Sequence, residues 1–379
     1  MASTPLRAIG GEEVRGSLAA KLKTARQLTG MSTRAVAVKL APRFSISHAT
    51  IANYESGRTV PPIDVLAAFA DLYERPINWF LERGKSLTGV QYRNAKSRLR
   101  ISDLQTFEAE VQRWIDGYVA LEARMKRPLL PTVPEFGDRS KLDPINLALE
   151  VRRHLGFRED ADSIPSIVDV LEKFGIRVIE SPTDLSIDGL AARYGQEYVV
   201  VLNSTVPSDR SRLNAAHELG HVLYGDCDND DPTSKGLETR AFLFASHFLI
   251  SSSQLKEAFK GKSMVRLIQF KERFGISLAA MVYRAEKHGF ITKQEARSLW
   301  IAFAERNWRT REPGYVRPDR ATRFEQLIED AINNKRLSLK EIADLCGVRP
   351  EAIRKRLDFA IGVGNVPEDE GADTVLFPG

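Results

Sequence analysis

The residues His217, Glu218 and His221 form the pattern His-Glu-x-x-His in this 379-residue sequence. Histidines four positions apart lie on the same face of an α-helix, so both imidazoles can bind one Zn²⁺ ion at about 2.0–2.1 Å. Glu218 lies about 100° around the helix, where its carboxylate can take a proton from a metal-activated water. The pattern therefore predicts a catalytic zinc site, and its alternative is an accidental histidine pair on a surface helix.

The segments around this pattern predict the elements that hold it in place. Residues 175–180 and 197–203 are rich in β-branched residues and flanked by turn formers, which is typical of strands. A helix with the two histidines follows the second strand, and Gly220 within it indicates that a neighbouring segment approaches closely. Residues 145–312 are therefore expected to form a small α+β domain in a protein that is otherwise mainly α-helical.

This context resembles the ImmA/IrrE family of zinc metallopeptidase-like proteins over residues 145–295. The residues at matching positions are Arg212, Ala216, His217, Glu218, Leu219, Gly220 and His221. The resemblance implies a zincin-like peptidase fold and Zn²⁺ as the cofactor. It also implies a third metal ligand from a glutamate at the start of the next helix, which is Glu238 in this sequence.

Other residues near the pattern remain alternative ligands or catalytic groups. The competing ligands are Asp226, Asp228, Asp230, Asp231 and Cys227. His247 lies about half a helical circumference from Glu238 and is expected to be a packing residue or a neighbour of the ligands. The candidates for stabilising an oxyanion are Tyr194, Tyr224 and His247, and the sequence does not rank them.

The charge of the chain is concentrated at its N-terminal end. The first 100 residues carry nine more basic than acidic side chains, whereas the remaining residues have a net charge of −4. Such a basic segment is typical of a nucleic-acid-binding domain. Residues 18–81 have the periodicity of four or five short helices, with Ser32 and Ser47 as N-caps and Gly57 as a helix stop.

This basic segment resembles the helix-turn-helix domain of Cro/phage-repressor (XRE) regulators. The residues that carry the resemblance are Leu22, Arg26, Ser32, Ala37, Leu40, Ile51, Tyr54, Glu55, Gly57, Pro62 and the segment 78–81. Two features depart from the family pattern. Thr33 replaces the usual glutamine after the cap of the second helix, and the turn before the third helix is longer than in the family.

The resemblance implies that a helix beginning at His48 lies in the major groove of double-stranded operator DNA. The side chains predicted to contact bases are His48, Ala49 and Asn53, of which Asn53 is suited to a bidentate contact with adenine. The predicted phosphate contacts are Thr33, Arg34, Arg43 and Arg58. The alternative is a helical domain that uses its basic face for protein contacts.

Residues 101–126 contain an apolar seam with spacings of three and four, which is typical of a coiled coil. The seam residues are Leu104, Phe107, Val111, Trp114, Tyr118, Leu121 and Met125. A dimerising helix suits a regulator that binds symmetric half-sites, so we predict a homodimer. The aromatic seam residues favour the alternative, in which the helix covers the core of a neighbouring domain.

The sequence divides into successive segments. They are a Cro-type DNA-binding domain at 1–85, a basic connector with the heptad helix at 86–127, a Pro-rich linker at 128–144, the peptidase-like domain at 145–312, a C-terminal helical block at 313–361 and a disordered tail at 362–379. In the C-terminal block, Ser338 and Glu341 form a capping box, and Pro350 starts another helix. This block is either a second helix-turn-helix or a small bundle packed on the peptidase-like domain.

Membrane insertion and secretion are not expected. No apolar stretch approaches the roughly 20 residues that span a bilayer, and the N-terminal residues lack a signal-peptide pattern. The two cysteines, Cys227 and Cys346, are far apart and indicate a reducing, cytoplasmic environment.

Together these patterns predict a transcriptional regulator that binds DNA. Its zinc-dependent endopeptidase domain is expected to cleave a repressor, a partner from a toxin–antitoxin-like operon, or the chain itself. The first alternative is a non-proteolytic transcription factor whose zinc domain senses a ligand or docks a partner. The second is a peptidase that is merely tethered to DNA.

Overall fold

The computed structural model describes residues 12–73, 75, 77–81, 85, 87–93, 99–139, 141–159, 161–183, 185, 187–228, 236–308 and 311–361. These residues form two compact units. The first unit contains the described residues within 12–87, 99–128 and 322–361, and the second contains those within 88–93 and 129–321. Each unit therefore combines segments that lie far apart in the sequence.

The first unit is built from helices. They are α1 (Glu12–Leu28), α2 (Thr33–Leu40), α3 (His48–Glu55), α4 (Ile63–Leu72), α5 (Ile77–Leu81), α6 (Ile101–Met125) and, after the second unit, α15 (Arg323–Asn333), α16 (Leu339–Cys346) and α17 (Pro350–Ile361). The helices α1–α5 confirm the predicted N-terminal five-helix domain. Ser32 and Ser47 cap α2 and α3 as predicted, each accepting a hydrogen bond of 3.1 Å from the backbone N–H three residues later.

The second unit combines helices with a four-stranded sheet. β1 spans Leu87–Arg93, and its residues from Thr88 onward belong to this unit. The other elements are α7 (Pro144–His154), α8 (Ile167–Lys173), β2 (Arg177–Ser181), β3 (Gly189–Tyr194), β4 (Glu197–Asn203), α9 (Ser208–Tyr224), α10 (Leu237–Leu249), α11 (Ser252–Ala258), α12 (Met264–Phe274), α13 (Leu278–Lys287) and α14 (Lys293–Glu305). The sheet order is β1-β3-β4-β2. β2 is parallel and β3 antiparallel to β4. The strands predicted at 175–180 and 197–203 correspond to β2 and β4, whereas β1 and β3 were not predicted.

The heptad seam of α6 is buried within its own chain. Val111, Tyr118 and Leu121 are at most 1% exposed, and α6 packs against α1, α15 and α16. The ring of Phe324 on α15 stacks on Tyr118, with centroids 4.7 Å apart. The seam is therefore not a coiled-coil interface, and this part of the dimer prediction is wrong because α15 and α16 cover the surface that a second copy would need. The alternative of intramolecular packing is correct, and the predicted homodimer is left without this interface.

The C-terminal block is divided between the two units: its residues 313–321 belong to the second unit, where Asp319 forms an ion pair of 2.9 Å with Arg212 and Ala321 lies in the hydrophobic core, and the rest of the block belongs to the first. Its helices α15–α17 belong to the first unit, where Ser338 caps α16 with Glu341 as predicted and Gly347 ends that helix at φ +57°. Glu325 and Arg356 form an almost completely buried ion pair of 2.5 Å between α15 and α17. The Cys346 Sγ atom would lie 2.5 Å from a Cβ atom at position 117, so Gly117 permits the close contact between α16 and α6.

The Pro-rich segment before α7 is attached to the second unit. Pro144 begins α7, and no described residue within 128–143 lies in a helix or strand. The backbone N–H of Thr132 donates a hydrogen bond of 3.2 Å to Phe174 O. Val133 and Phe136 pack against the hydrophobic core of the unit. This segment is therefore not a free linker, because both backbone and apolar side chains hold it in place.

None of the described helices is long and apolar enough to cross a bilayer. The predicted disordered tail at 362–379 lies outside the described residues.

Candidate metal centre and nucleic-acid interface

The three predicted metal ligands meet at one point. His217 and His221 lie one turn apart on α9, are at most 1% exposed, and have Nε2 atoms 3.0 Å apart. Glu238 in the first turn of α10 places Oε2 3.3 Å from His217 Nε2 and Oε1 3.3 Å from His221 Nε2. The ligand atoms of these residues all lie within 4.8 Å of one another. No other group of three potential ligands is this compact among the described residues.

This donor set fits a Zn²⁺ ion. Ligand atoms at about 2.0–2.2 Å from a tetrahedral ion lie about 3.3–3.5 Å apart, which is close to the spacing of the three residues. Burial lowers the pKa of His217 to about 3, so its imidazole is in the neutral form that binds metals. Burial alone would raise the pKa of Glu238, but its hydrogen bonds with His217 and His221 hold that pKa well below its usual range. The carboxylate is therefore an anion.

Asp226 orients a ligand instead of competing with it. Its Oδ2 atom lies 2.8 Å from His221 Nδ1, on the opposite side of the ring from Glu238. Its Oδ1 atom accepts a hydrogen bond of 2.5 Å from Arg240 Nη2, and the Arg240 guanidinium lies 3.8 Å from the centroid of the Tyr224 ring. A carboxylate on the far nitrogen fixes the tautomer and direction of a metal-binding histidine. Burial lowers the pKa of His221, but the hydrogen bonds with Asp226 and Glu238 outweigh this effect and raise it to about 9, so a zinc ion that binds His221 must displace the proton on Nε2.

Glu218 is buried beside the ligands without a partner. It is 0% exposed, and neither carboxylate oxygen has a hydrogen-bond partner among the described residues. Burial raises the pKa of Glu218 to about 7, against a smaller opposing effect of His221 and Arg93. An unpaired buried carboxylate next to His217 fits a base that takes its proton from a water at the metal site.

Two of the remaining candidate ligands, Asp228 and Cys227, are described and do not join this cluster. Asp228 is held by Arg139 at 2.7 Å, by Arg193 at 2.6 Å and by the Tyr198 hydroxyl at 2.7 Å. Cys227 is buried, and its burial raises the pKa of the thiol. Asp230 and Asp231 lie outside the described residues.

The candidates for oxyanion stabilisation lie on three different elements, β3, α9 and α10. His247 lies on α10, where its Nδ1 atom is 2.8 Å from Leu243 O and its ring contacts His288 edge to face at 5.2 Å. This position agrees with a packing role. The Tyr224 hydroxyl is buried without a partner among the described residues, and Tyr194 is buried at the end of β3.

Arg93 is the residue near the site that sequence reasoning missed. It was assigned to the basic connector, but it ends β1, and its Nε atom donates a hydrogen bond of 2.5 Å to Asn214 Oδ1 on α9. Its positive charge is close enough to Glu218 and Glu238 for these carboxylates to act on the pKa of Arg93, although burial has the largest effect and lowers it. The β-forming residues Thr88, Val90 and Tyr92 were the available signal.

The candidate recognition helix α3 exposes the residues predicted to contact bases. His48 and Ala49 are exposed and Asn53 is half-buried, whereas Ile51 is buried in the core of the helical domain. Of the predicted phosphate contacts, Thr33 is half-buried and the others are exposed, namely Arg34, Arg43 and Arg58. Arg43 lies 3.5 Å from Asp71, and both side chains are exposed, so this ion pair constrains Arg43 only weakly.

An ion pair fixes the orientation of α3. Arg26 on α1 donates two hydrogen bonds to Glu55 at the end of α3, at 2.6 and 2.8 Å. Its remaining nitrogen donates a hydrogen bond of 2.9 Å to Met31 O in the turn before α2. Because the Arg26 guanidinium is bound both to Glu55 and to Met31 O, it restricts rotation of α3. A helix whose side chains contact bases needs such a fixed orientation.

Two models of known domain families match parts of this chain. Residues 171–286 match the model of the IrrE N-terminal-like domain, and residues 17–78 match a model described as a helix-turn-helix domain. A search of curated proteins returns no significant match. The chain therefore carries a DNA-binding helix-turn-helix domain together with an IrrE-like domain of a peptidase family, and the two resemblances seen in the sequence are confirmed.

We expect Asp226→Asn to weaken Zn²⁺ affinity by about 10–100-fold, because a neutral amide binds the Nδ1 proton of His221 more weakly than a carboxylate and does not fix its tautomer. Competition with a chromogenic chelator measures this change. Asp228→Asn is the matched control, since it alters the neighbouring carboxylate in the same turn and touches no ligand. Equal affinities for the two variants would contradict the orienting role of Asp226.

Proposed function

We propose that this protein is a transcriptional regulator whose second unit is a zinc-dependent endopeptidase that cleaves a repressor or antitoxin-like partner, or the chain itself. The observation that carries the proposal is the convergence of His217, His221 and Glu238 beside the unpaired carboxylate of Glu218. The same chain carries α3, on which His48 and Ala49 are exposed and Asn53 is half-buried. Cleavage and DNA binding in one chain provide a direct route from proteolysis to gene expression.

The three ligands would hold Zn²⁺ and leave a fourth position open. When bound, the ion polarises the scissile carbonyl and lowers the pKa of its water toward about 7. Glu218 removes the proton of the attacking water and then delivers it to the leaving amine nitrogen, so that one carboxylate serves both halves of the hydrolysis. Asp226 holds His221 in the required direction throughout.

The DNA-binding part of the proposal rests on α3. The proposed base contacts are His48, Ala49 and Asn53, and the proposed phosphate contacts are Thr33, Arg34, Arg43 and Arg58. The capped N-terminus of α3 and the Arg26–Glu55 pair support this assignment, because they fix the helix whose side chains would enter the major groove.

One observation favours the alternative function. Glu218 is 0% exposed, so in this conformation the base has no contact with solvent. A non-proteolytic factor would use the same metal ligands to sense a ligand or to dock a partner, without needing access to Glu218. The two functions differ in whether the Glu218 carboxylate is required.

Glu218→Gln is expected to retain about one equivalent of Zn²⁺ but to reduce cleavage by about 10²–10⁴-fold, because the amide cannot accept the proton. Intact-mass analysis of the protein and its operon partner measures cleavage, and derepression of the promoter is followed in parallel. His221→Ala is the comparison, since it removes a ligand and the metal with it. If Glu218→Gln derepresses as well as the wild type while His221→Ala does not, the non-proteolytic alternative is correct.

For DNA binding, Asn53→Ala is expected to reduce the preference for the operator over random DNA by about 1–3 kcal/mol, because a base contact is lost. Arg58→Ala is expected to weaken binding to both DNAs and to reduce the salt slope by about one. Fluorescence anisotropy at several salt concentrations separates the two effects.

Lys256→Ala is the control for these variants, because it removes one exposed positive charge from the second unit. Unchanged operator and random-DNA affinities for both Asn53→Ala and Arg58→Ala would show that α3 does not read DNA.

A further inference from the structure

The strand β3 borders the catalytic base. A Cβ atom at Gly189, the first residue of β3, would lie 3.3 Å from Glu218 Oε1. β3 is antiparallel to β4, and its other edge faces away from β4. An exposed strand edge next to a reactive group is a natural site for an extended peptide, because backbone hydrogen bonds align the peptide without regard to its side chains.

In this protein the outer edge of β3 is already occupied. β1 is the neighbour of β3 in the sheet, on the side opposite β4. The backbone carbonyl of Arg93, the last residue of β1, accepts a hydrogen bond of 3.1 Å from the N–H of Asp188, which precedes β3. The chain therefore pairs one of its own extended segments with the edge that lies beside Glu218.

The contacts of β1 are specific to its residues. Gly89 has φ +56°, and a Cβ atom there would lie 2.0 Å from Cys227 O, so only glycine lets the strand lie this close to the turn after α9. The Gln91 side chain donates a hydrogen bond of 3.2 Å to Asp226 O. Arg93 binds Asn214 on α9 and brings its positive charge near Glu218. These contacts join β1 to the helix and the turn that carry the metal site.

β1 comes from a different part of the chain than the rest of the sheet. It lies between the residues that match the helix-turn-helix domain and those that match the IrrE N-terminal-like domain, and it belongs to neither match. The segment that fills the edge of the peptidase-like sheet is therefore the covalent continuation of the DNA-binding part.

We propose that Thr88–Arg93 is an internal strand that occupies the peptide-binding edge of β3 and keeps the metal centre latent until it is displaced by an extended segment of a substrate polypeptide. This inference rests on the proposed peptidase function. In this state Glu218 is completely buried, whereas the side chain of the proposed metal ligand Glu238 is 58% exposed. Displacement of β1 removes Arg93 from the vicinity of Glu218 and frees one edge of β3 for the incoming chain.

The test uses the full-length zinc-loaded protein and a fluorescent peptide with the sequence of residues 87–93. Gly89→Ala is expected to release β1, because its methyl group would collide with the backbone of Cys227. Gly289→Ala is the matched control, since Gly289 also has positive φ, +68°, but a Cβ atom there has no neighbour within 4 Å. Neither position is a metal ligand or the proposed base.

Gly89→Ala is expected to bind the peptide at least about tenfold more tightly than the wild type and Gly289→Ala do. If β1 occupies the edge of β3 in about nine of ten wild-type molecules, the apparent Kd of the wild type for the peptide is raised about tenfold. Hydrogen exchange of the β3 amides is expected to accelerate in Gly89→Ala and to slow again when the peptide is added. Zinc content is expected to remain near one equivalent.

The outcomes separate this inference from the proposed function. A Gly89→Ala protein that binds the peptide, keeps zinc and cleaves no protein supports the internal strand and contradicts the peptidase. A folded Gly89→Ala protein with wild-type exchange in β3 and no peptide binding overturns the internal strand, whether or not it cleaves. If Gly89→Ala does not fold, Gln91→Ala replaces it, and faster exchange of β3 then supports the proposal while unchanged exchange overturns it.

Discussion

The close packing of α9 against α10 at Gly220 is the contact on which the metal centre depends. A Cβ atom at this position would lie 3.1 Å from the Phe244 ring and 3.3 Å from the Ala241 Cα atom, so a larger residue would push the two helices apart. Glu238 lies three residues before Ala241, in the first turn of α10. The short distance between the helices is therefore what brings its carboxylate to both histidines on α9.

The turn that follows α9 connects the metal site to the rest of the chain. Within this turn, the Asp226 side chain fixes the direction of the His221 ring. The backbone carbonyl of Asp226 accepts a hydrogen bond from Gln91 of β1, and the backbone of Cys227 lies close to Gly89 of the same strand. Orientation of a metal ligand and attachment of β1 thus depend on the same short segment. A change in the position of β1 would therefore reach the residue that orients His221 through these two contacts.

Local patterns in the sequence correctly predicted the features that depend only on residues close together in the chain. The four-residue spacing of His217 and His221 determines that they share a helix face, and the serine caps determine where α2 and α3 begin. Glu238 was predicted only through a resemblance, because no spacing rule fixes which residue of a second helix reaches the metal. The periodicity of the α6 seam shows that the seam is buried, but it does not show which segment buries it. The seam was therefore assigned to a dimer interface, although α15 and α16 of the same chain cover it.

The missing elements depend on contacts between distant segments. β1 was predicted as a connector because a short strand followed by basic residues has no strong pattern, and only the pairing with β3 makes it part of the sheet. The role of Asp226 was missed for the same reason, since an acidic loop beside two histidines suggests ligands as readily as an orienting carboxylate. In both cases the deciding information is a distance between residues that the sequence alone does not contain.

X-ray absorption spectroscopy of the zinc-loaded protein tests the central claim, which is that His217, His221 and Glu238 form one zinc site. The structure predicts two imidazole nitrogens and oxygen ligands at about 2.0–2.2 Å, with no sulfur ligand. A sulfur shell at about 2.3 Å would place Cys227 in the coordination sphere, and the absence of imidazole scattering would remove the histidines from it. Either result would contradict the proposed metal centre.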